Sequence, residues 1–158
     1  DAAAVGQQLW DYVDAANSSR RYRALAPPVD GRWGVAVYDG LVDQLLCLEK
    51  TADDAGVDIP LRILWEHKRL MAARVAFMVA GGLLDPDSRR QQRFQGVVDE
   101  ALRLRLLLLR WRREPRADTL VTAVDILRDL AACELDLLGQ VLHNLDDRCG
   151  AVVLPAAA

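Results

Sequence analysis

Two pairs of aspartates stand four residues apart, Asp39 with Asp43 and Asp125 with Asp129, and each pair falls on one face of a predicted helix. Two such pairs facing each other could hold Mg²⁺ against a diphosphate, the chemistry of helical prenyl-transferring enzymes. A full DDxxD run is absent, and Asp53-Asp54 has no third aspartate at the required spacing. A chain of 158 residues is also short for a cavity that encloses an isoprenoid. The pairs read first as solvated helix faces. His143 shares a face with Asp136 and Asp147, two carboxylates and an imidazole that could form part of a metal site; an ordinary polar face accounts for the same residues. A di-iron bundle needs Glu-x-x-His on two helices, but Glu66 directly precedes His67 and Gln140 stands three residues before His143. His67, among Leu64, Leu70 and Met71, reads as a partly buried structural histidine without partners for proton transfer. The phosphate loop, nucleophile elbow, zincin helix and Cys-x-x-Cys knuckle are all missing. The sequence therefore assigns no catalytic residue, metal ligand or cofactor, and leans away from an enzyme.

What remains is a run of apolar residues in an arginine-rich setting. Leu106-Leu107-Leu108-Leu109 points around a whole helix circumference, so these four cannot all face one core. Leu104 and Leu108 belong to a core stripe, whereas Leu106 and Leu107 lie on the side that carries Arg103, Arg110 and Arg113. Either this helix is central and covered on both sides, or Arg103, Leu106, Leu107, Arg110, Trp111 and Arg113 form a partner-binding patch. Leucine framed by arginine and tryptophan matches the make-up of interface hot spots.

Five helices position these residues. The first is expected from about Ala3 to Leu25, with Val5, Leu9, Tyr12, Val13 and Ala16 on one face, until Ala26-Pro27-Pro28 stops it. The second runs from about Gly34 to Ala55, striped by Tyr38, Leu41, Val42, Leu45 and Leu48 and capped by Gly56. Asp58-Ile59-Pro60 opens the third, which carries Leu64, Trp65, Met71, Val75 and Met78 to Gly81-Gly82. Asp85-Pro86-Asp87 starts the fourth, with Asp85 as its cap and Phe94, Val97, Ala101, Leu104, Leu108 and Trp111 as its stripe to about Arg113. Asp118 or Thr119 caps the fifth, where Leu120, Val124, Leu127, Ala131, Leu138, Val141 and Leu145 form a heptad seam and Glu134 fills its polar slot. That helix should span roughly 45 Å. Trp33, in a predicted loop, either plugs the bundle end or presents itself to a partner, and reads first as the plug.

The expected fold is all-α: an antiparallel bundle of about five helices with a long C-terminal helical hairpin, one domain over 1–149 and a tail over 150–158. Nine arginines and four acids give 87–116 a balance of +5, whereas seven acids and two arginines give 117–149 a balance of −5. Opposite charge on consecutive helices favours their pairing, and otherwise these side chains face water.

Hydrophobic residues make up 52% and charged ones 27%, which excludes wholesale disorder. A net charge of −3 gives no reason to expect nucleic-acid binding. No apolar stretch approaches the ~20 residues that span a bilayer, so no stable membrane insertion is expected. Three cysteines leave at least one unpaired in any monomer, and Cys47 and Cys133 read as small core or near-core residues of a chain in a reducing compartment. Asn17-Ser18-Ser19 matches a glycosylation sequon inside a helical stretch. The functional expectation is a non-enzymatic helical protein–protein interaction module: an adaptor, an assembly factor or a subunit of a larger complex, bound to another protein or to itself. The alternative is a small helical enzyme or ligand-binding regulator that uses the paired aspartates and Mg²⁺.

Overall fold

A computed structural model describes residues 2–17, 31–51 and 58–149. Among them are five α-helices packed against one another and no strand. They are α1 (Ala2–Val13), α2 (Val37–Thr51), α3 (Asp58–Ala80), α4 (Ser88–Trp111) and α5 (Ala117–Cys149). No helix among the described residues is long and apolar enough to cross a membrane. The sequon serines, the Pro27-Pro28 stop, the Gly56 cap and the tail at 150–158 lie outside the described residues.

Helix ends depart from the expected boundaries for local reasons. α1 stops at Val13, well short of Leu25. Ala15 takes a left-handed φ of 53°, and the Ala16 amide returns to the Asp11 carbonyl at 2.7 Å, a bond that closes a helix C-terminus. The chain comes back over that end at Gly34, where φ is +54° and a Cβ would collide with the Tyr12 carbonyl oxygen. Only glycine fits there. Residues Gly34–Ala36 consequently form a 3₁₀ turn, and the regular part of α2 begins three residues later than the pattern predicts. Gly81-Gly82 ends α3 as expected: Gly82 has φ +72° and the Leu83 amide reaches the Met78 carbonyl at 2.8 Å.

The start of α4 needs a correction. Its cap is Asp87, whose side chain accepts from the Arg90 amide at 3.1 Å, and not Asp85. Asp85 turns instead to α5. Its amide donates to Asn144 Oδ1 and its carboxylate accepts from Asn144 Nδ2, both at 2.8 Å. α5 begins at Ala117, so Asp118 sits in its first turn, where a carboxylate favours the positive end of the helix dipole.

The core lies around α5, which touches α1, α2 and α4, while α3 packs on α4. Leu127, Leu138 and Val141 of the predicted seam are fully buried, and Leu120, Val124 and Leu145 nearly so. Ala123, Ile126, Leu130, Leu137 and Leu142 widen the buried arc of α5 beyond a two-position seam. The expected stripe of α4 is buried throughout, from Phe94 to Trp111. Arg93 and Asp136 join α4 to α5 at 2.7 Å, a contact between the oppositely charged helices. Cys47 is exposed on α2, contrary to the core reading, because it falls off the Leu41–Leu45–Leu48 face; Cys133 is half-buried against the core.

Candidate functional site

The arginine-framed patch on α4 is thinner than its sequence. Leu106 is 55% exposed, and Arg103, Arg110 and Arg113 are exposed around it, with Arg103 paired to Glu100 at 3.0 Å. Leu107 is half-buried against the core, and Trp111 lies inside it. Trp111 therefore cannot present itself to a partner. It occupies a stripe position seven residues beyond Leu104 and turns inward with it. The helix at the centre is α5, so α4 is neither enclosed on all sides nor broadly apolar outside.

The acidic pairs stay apart from other ligating groups. Asp39, Asp43, Asp125 and Asp129 are exposed; Asp43 pairs with Arg32 at 2.5 Å and Asp125 with Arg128 at 3.8 Å. His143 and Asp147 approach to 3.3 Å on the open surface, but Asp136 is engaged by Arg93. Among the described residues no group of three or more His, Cys, Asp or Glu side chains comes together as a metal site.

A feature that the sequence reading missed runs along α3. Ile59, Ile63, Leu70 and Phe77 follow at intervals of four, seven and seven residues, which keeps them within a strip about 40° wide. They are 64%, 59%, 59% and 75% exposed. The inner face of the same helix carries Leu61, Leu64, Lys68, Met71, Val75 and Met78, all buried. α3 is thus apolar on two opposite sides. Arg62 and Arg69 border the outer strip on one flank and Arg74 on the other, all exposed. Glu66, at the edge of the strip on the Arg62 side, is tied to Arg62 at 2.9 Å. The spacing is legible in the sequence, where the inner stripe of the same helix masks it.

The second missed feature is a buried polar cluster where α1, α2, α3 and α5 meet. Lys68 and Glu134 are each 1% exposed at the side chain, and Lys68 Nζ lies 2.8 and 2.7 Å from the two Glu134 oxygens. The Tyr12 and Tyr38 hydroxyls each donate to Glu134 Oε2 at 3.0 Å, and Tyr12 accepts from Lys68 at 2.7 Å. Lys68 also sits over both tyrosine rings, 5.2 and 4.9 Å from their centroids. Each member satisfies another, which is the condition for keeping a charge pair in a core. Burial pulls the Lys68 ammonium below the usual lysine range, and the Glu134 carboxylate opposes that shift. Burial, then the Glu134 charge, raises both tyrosine hydroxyls well above their ordinary value, so they remain donors.

His67 belongs to this cluster, which corrects the expectation of purely apolar neighbours. Its ring stacks on Tyr12 with centroids 5.3 Å apart, and its Nδ1 lies 3.4 Å from Lys68 Nζ. Burial and then the Lys68 charge lower its pKa to about 4, so it is neutral at pH 7. Sequence reading noticed Glu134 as a polar slot and His67 as a half-buried ring. The link between them, 67 positions apart, had no local signal. Beside the cluster opens a cleft of about 410 Å³, lined by Tyr12, Trp33, Ile63, His67, Lys68 and Arg74 among others. Trp33 is half-buried at its wall. Comparison of the chain with models of protein families, with curated proteins and with solved structures finds no match.

Proposed function

We propose that this protein is a non-enzymatic helical interaction module, an adaptor, assembly factor or subunit of a larger complex, and that its partner lies along the outer strip of α3. The observation that carries the reading is the line of four large apolar side chains, each more than half exposed, on a helix whose opposite face is already committed to the core. Covering them removes apolar area worth ~1–2 kcal/mol per side chain. Their sum is of the same order as the lower estimates for the freedom lost on association, so the complex is reversible and the flanking charges select its partner. Those flanks are arginines: Arg62 is paired with Glu66, and Arg69 and Arg74 form no ion pair among the described residues. A second copy aligned on the strip would set arginine against arginine, whereas an amphipathic helix of another protein, with carboxylates beside its apolar seam, would neutralise them.

An antiparallel scaffold suits this role. The Asp85–Asn144 contact just before α4 and the Arg93–Asp136 contact within it advance along the chain while they retreat along α5, which supports a C-terminal hairpin as the back of the domain. The Leu106 patch, with Arg103, Leu107, Arg110 and Arg113, is a second and smaller face. The strip on α3 takes precedence because it offers four exposed apolar side chains where α4 offers one.

The test uses two designed amphipathic peptides with the same leucine seam, one flanked by glutamate and one by lysine. The glutamate peptide should bind, weaken with salt, and be lost in the double variant Ile63→Ser/Phe77→Ser, which should melt as the parent does. Equal binding of both peptides would refute the charge argument. Salt-insensitive dimers of the parent in light scattering would make the partner a second copy. A variant that unfolds would place the strip in the core.

A further inference from the structure

The cleft beside the Lys68–Glu134 cluster has the size of a small-molecule site and a polar floor, and it shares only Ile63 and Arg74 with the α3 strip and its flank. Its floor supplies no spare charge. Lys68 and Glu134 neutralise each other, and the protons of Lys68 go to Glu134, Tyr12 and His67. At the rim stands Arg74, exposed and forming no ion pair or side-chain hydrogen bond among the described residues. His67 accepts from Lys68 through Nδ1, which places its own proton on Nε2 and makes it a neutral donor. The stacked Tyr12 and His67 rings and the half-buried Trp33 indole supply flat surfaces, and Ile63 an aliphatic one.

These groups select among ligand classes. An unpaired arginine at the rim, over a floor whose charges cancel, repels cations. One uncompensated cation and one neutral N–H match a monoanion better than a phosphate dianion, which takes several cations or a nest of amides. Aromatic walls call for a planar ring. We infer that the cleft binds a small aromatic carboxylate, its ring against Tyr12, His67 and Trp33 and its carboxylate at Arg74.

Four indoles of similar size separate the possibilities: indole-3-acetate, its neutral amide, tryptamine and 3-indoxyl phosphate, each titrated by ligand-detected NMR. The acetate should bind about tenfold more tightly than the amide, the increment of one charge-assisted contact, and tryptamine should not bind. Arg74→Gln, on an exposed position that leaves the fold intact, should bring the acetate down to the affinity of the amide, and Arg74→Lys should restore part of the difference. Trp33→Ala should weaken acetate and amide alike. Equal affinity for acetate and amide, preference for the phosphate, no binding of any of the four, or an Arg74→Gln variant that still discriminates would each overturn the assignment. Ile63 and Arg74 border both sites, and Trp33, which lines the cleft and lies off α3, keeps a failure of this assignment distinguishable from a failure of the peptide test.

Discussion

Replacing one member of the Lys68–Glu134 pair at a time, then both, measures how the buried charges are held. Glu134→Leu removes the acceptor shared by Lys68, Tyr12 and Tyr38. The ammonium then keeps only the Tyr12 oxygen and His67 Nδ1, in a site where its side chain is 1% exposed. A stranded charge of this kind costs about 3–5 kcal/mol. Lys68→Met leaves the Glu134 carboxylate with two tyrosine hydroxyl donors, so the loss should fall lower, at about 2–4 kcal/mol. The double variant Lys68→Met/Glu134→Leu strands no charge and keeps the volume filled. Its loss should be only about 0–2 kcal/mol, far less than the sum of the singles. Urea unfolding at pH 7, followed by circular dichroism and tryptophan fluorescence, gives all three values and the coupling energy. If each single variant lost less than about 1 kcal/mol and the losses simply added, the pair would be hydrated and loosely held. The reasoning from burial would then fail.

Two further outcomes follow from burial and geometry. His67 is held neutral in the fold, with a pKa near 4 against 6.5 in an unfolded chain, so the unfolded state binds more protons between those values. Its contribution is complete above about pH 6.5 and declines as pH falls towards 4, by on the order of 1–2 kcal/mol after discounting for solvent screening. The stability of the parent minus that of His67→Phe should shrink over that window; a difference independent of pH would contradict the assignment. Leu127→Ala and Leu138→Ala, at positions with no exposed area, should each cost roughly 2–5 kcal/mol in the same urea assay, and values below about 1 kcal/mol would show that the α5 seam is not core.

Among the described residues, the five helices and most of the core are readable in the sequence because they rest on period and punctuation. The Leu120–Leu145 seam, the Phe94–Trp111 stripe, the Pro60 start and the Gly81-Gly82 stop are local signals, and each lies where the spacing predicts it. Errors clustered where a distant segment intervenes. α1 ends early where Gly34 packs against Tyr12, 22 positions away, and Asp85 gives up its capping role to bond Asn144. Cys47 departs from the core reading because residue type and neighbours do not say which face of a helix meets another helix, and for Trp111 the stripe position outweighs the patch reading.

The candidate sites divide along the same line. Period 3.5 to 3.6 is a property of one helix, so the apolar strip of Ile59, Ile63, Leu70 and Phe77 was present in the order of residues. Its exposure was not: a helix with two apolar faces can be a central core helix or a docking helix, and only the placement of α5, instead of α3 or α4, at the centre separates the two. The cluster of Tyr12, Tyr38, Lys68 and Glu134 is wholly tertiary. One of two lysines in the chain and one glutamate in a leucine seam carry no mutual signal across 66 positions. Close packing of four helices places them 2.7 Å apart, because a buried charge persists only where another chain segment brings its counter-charge.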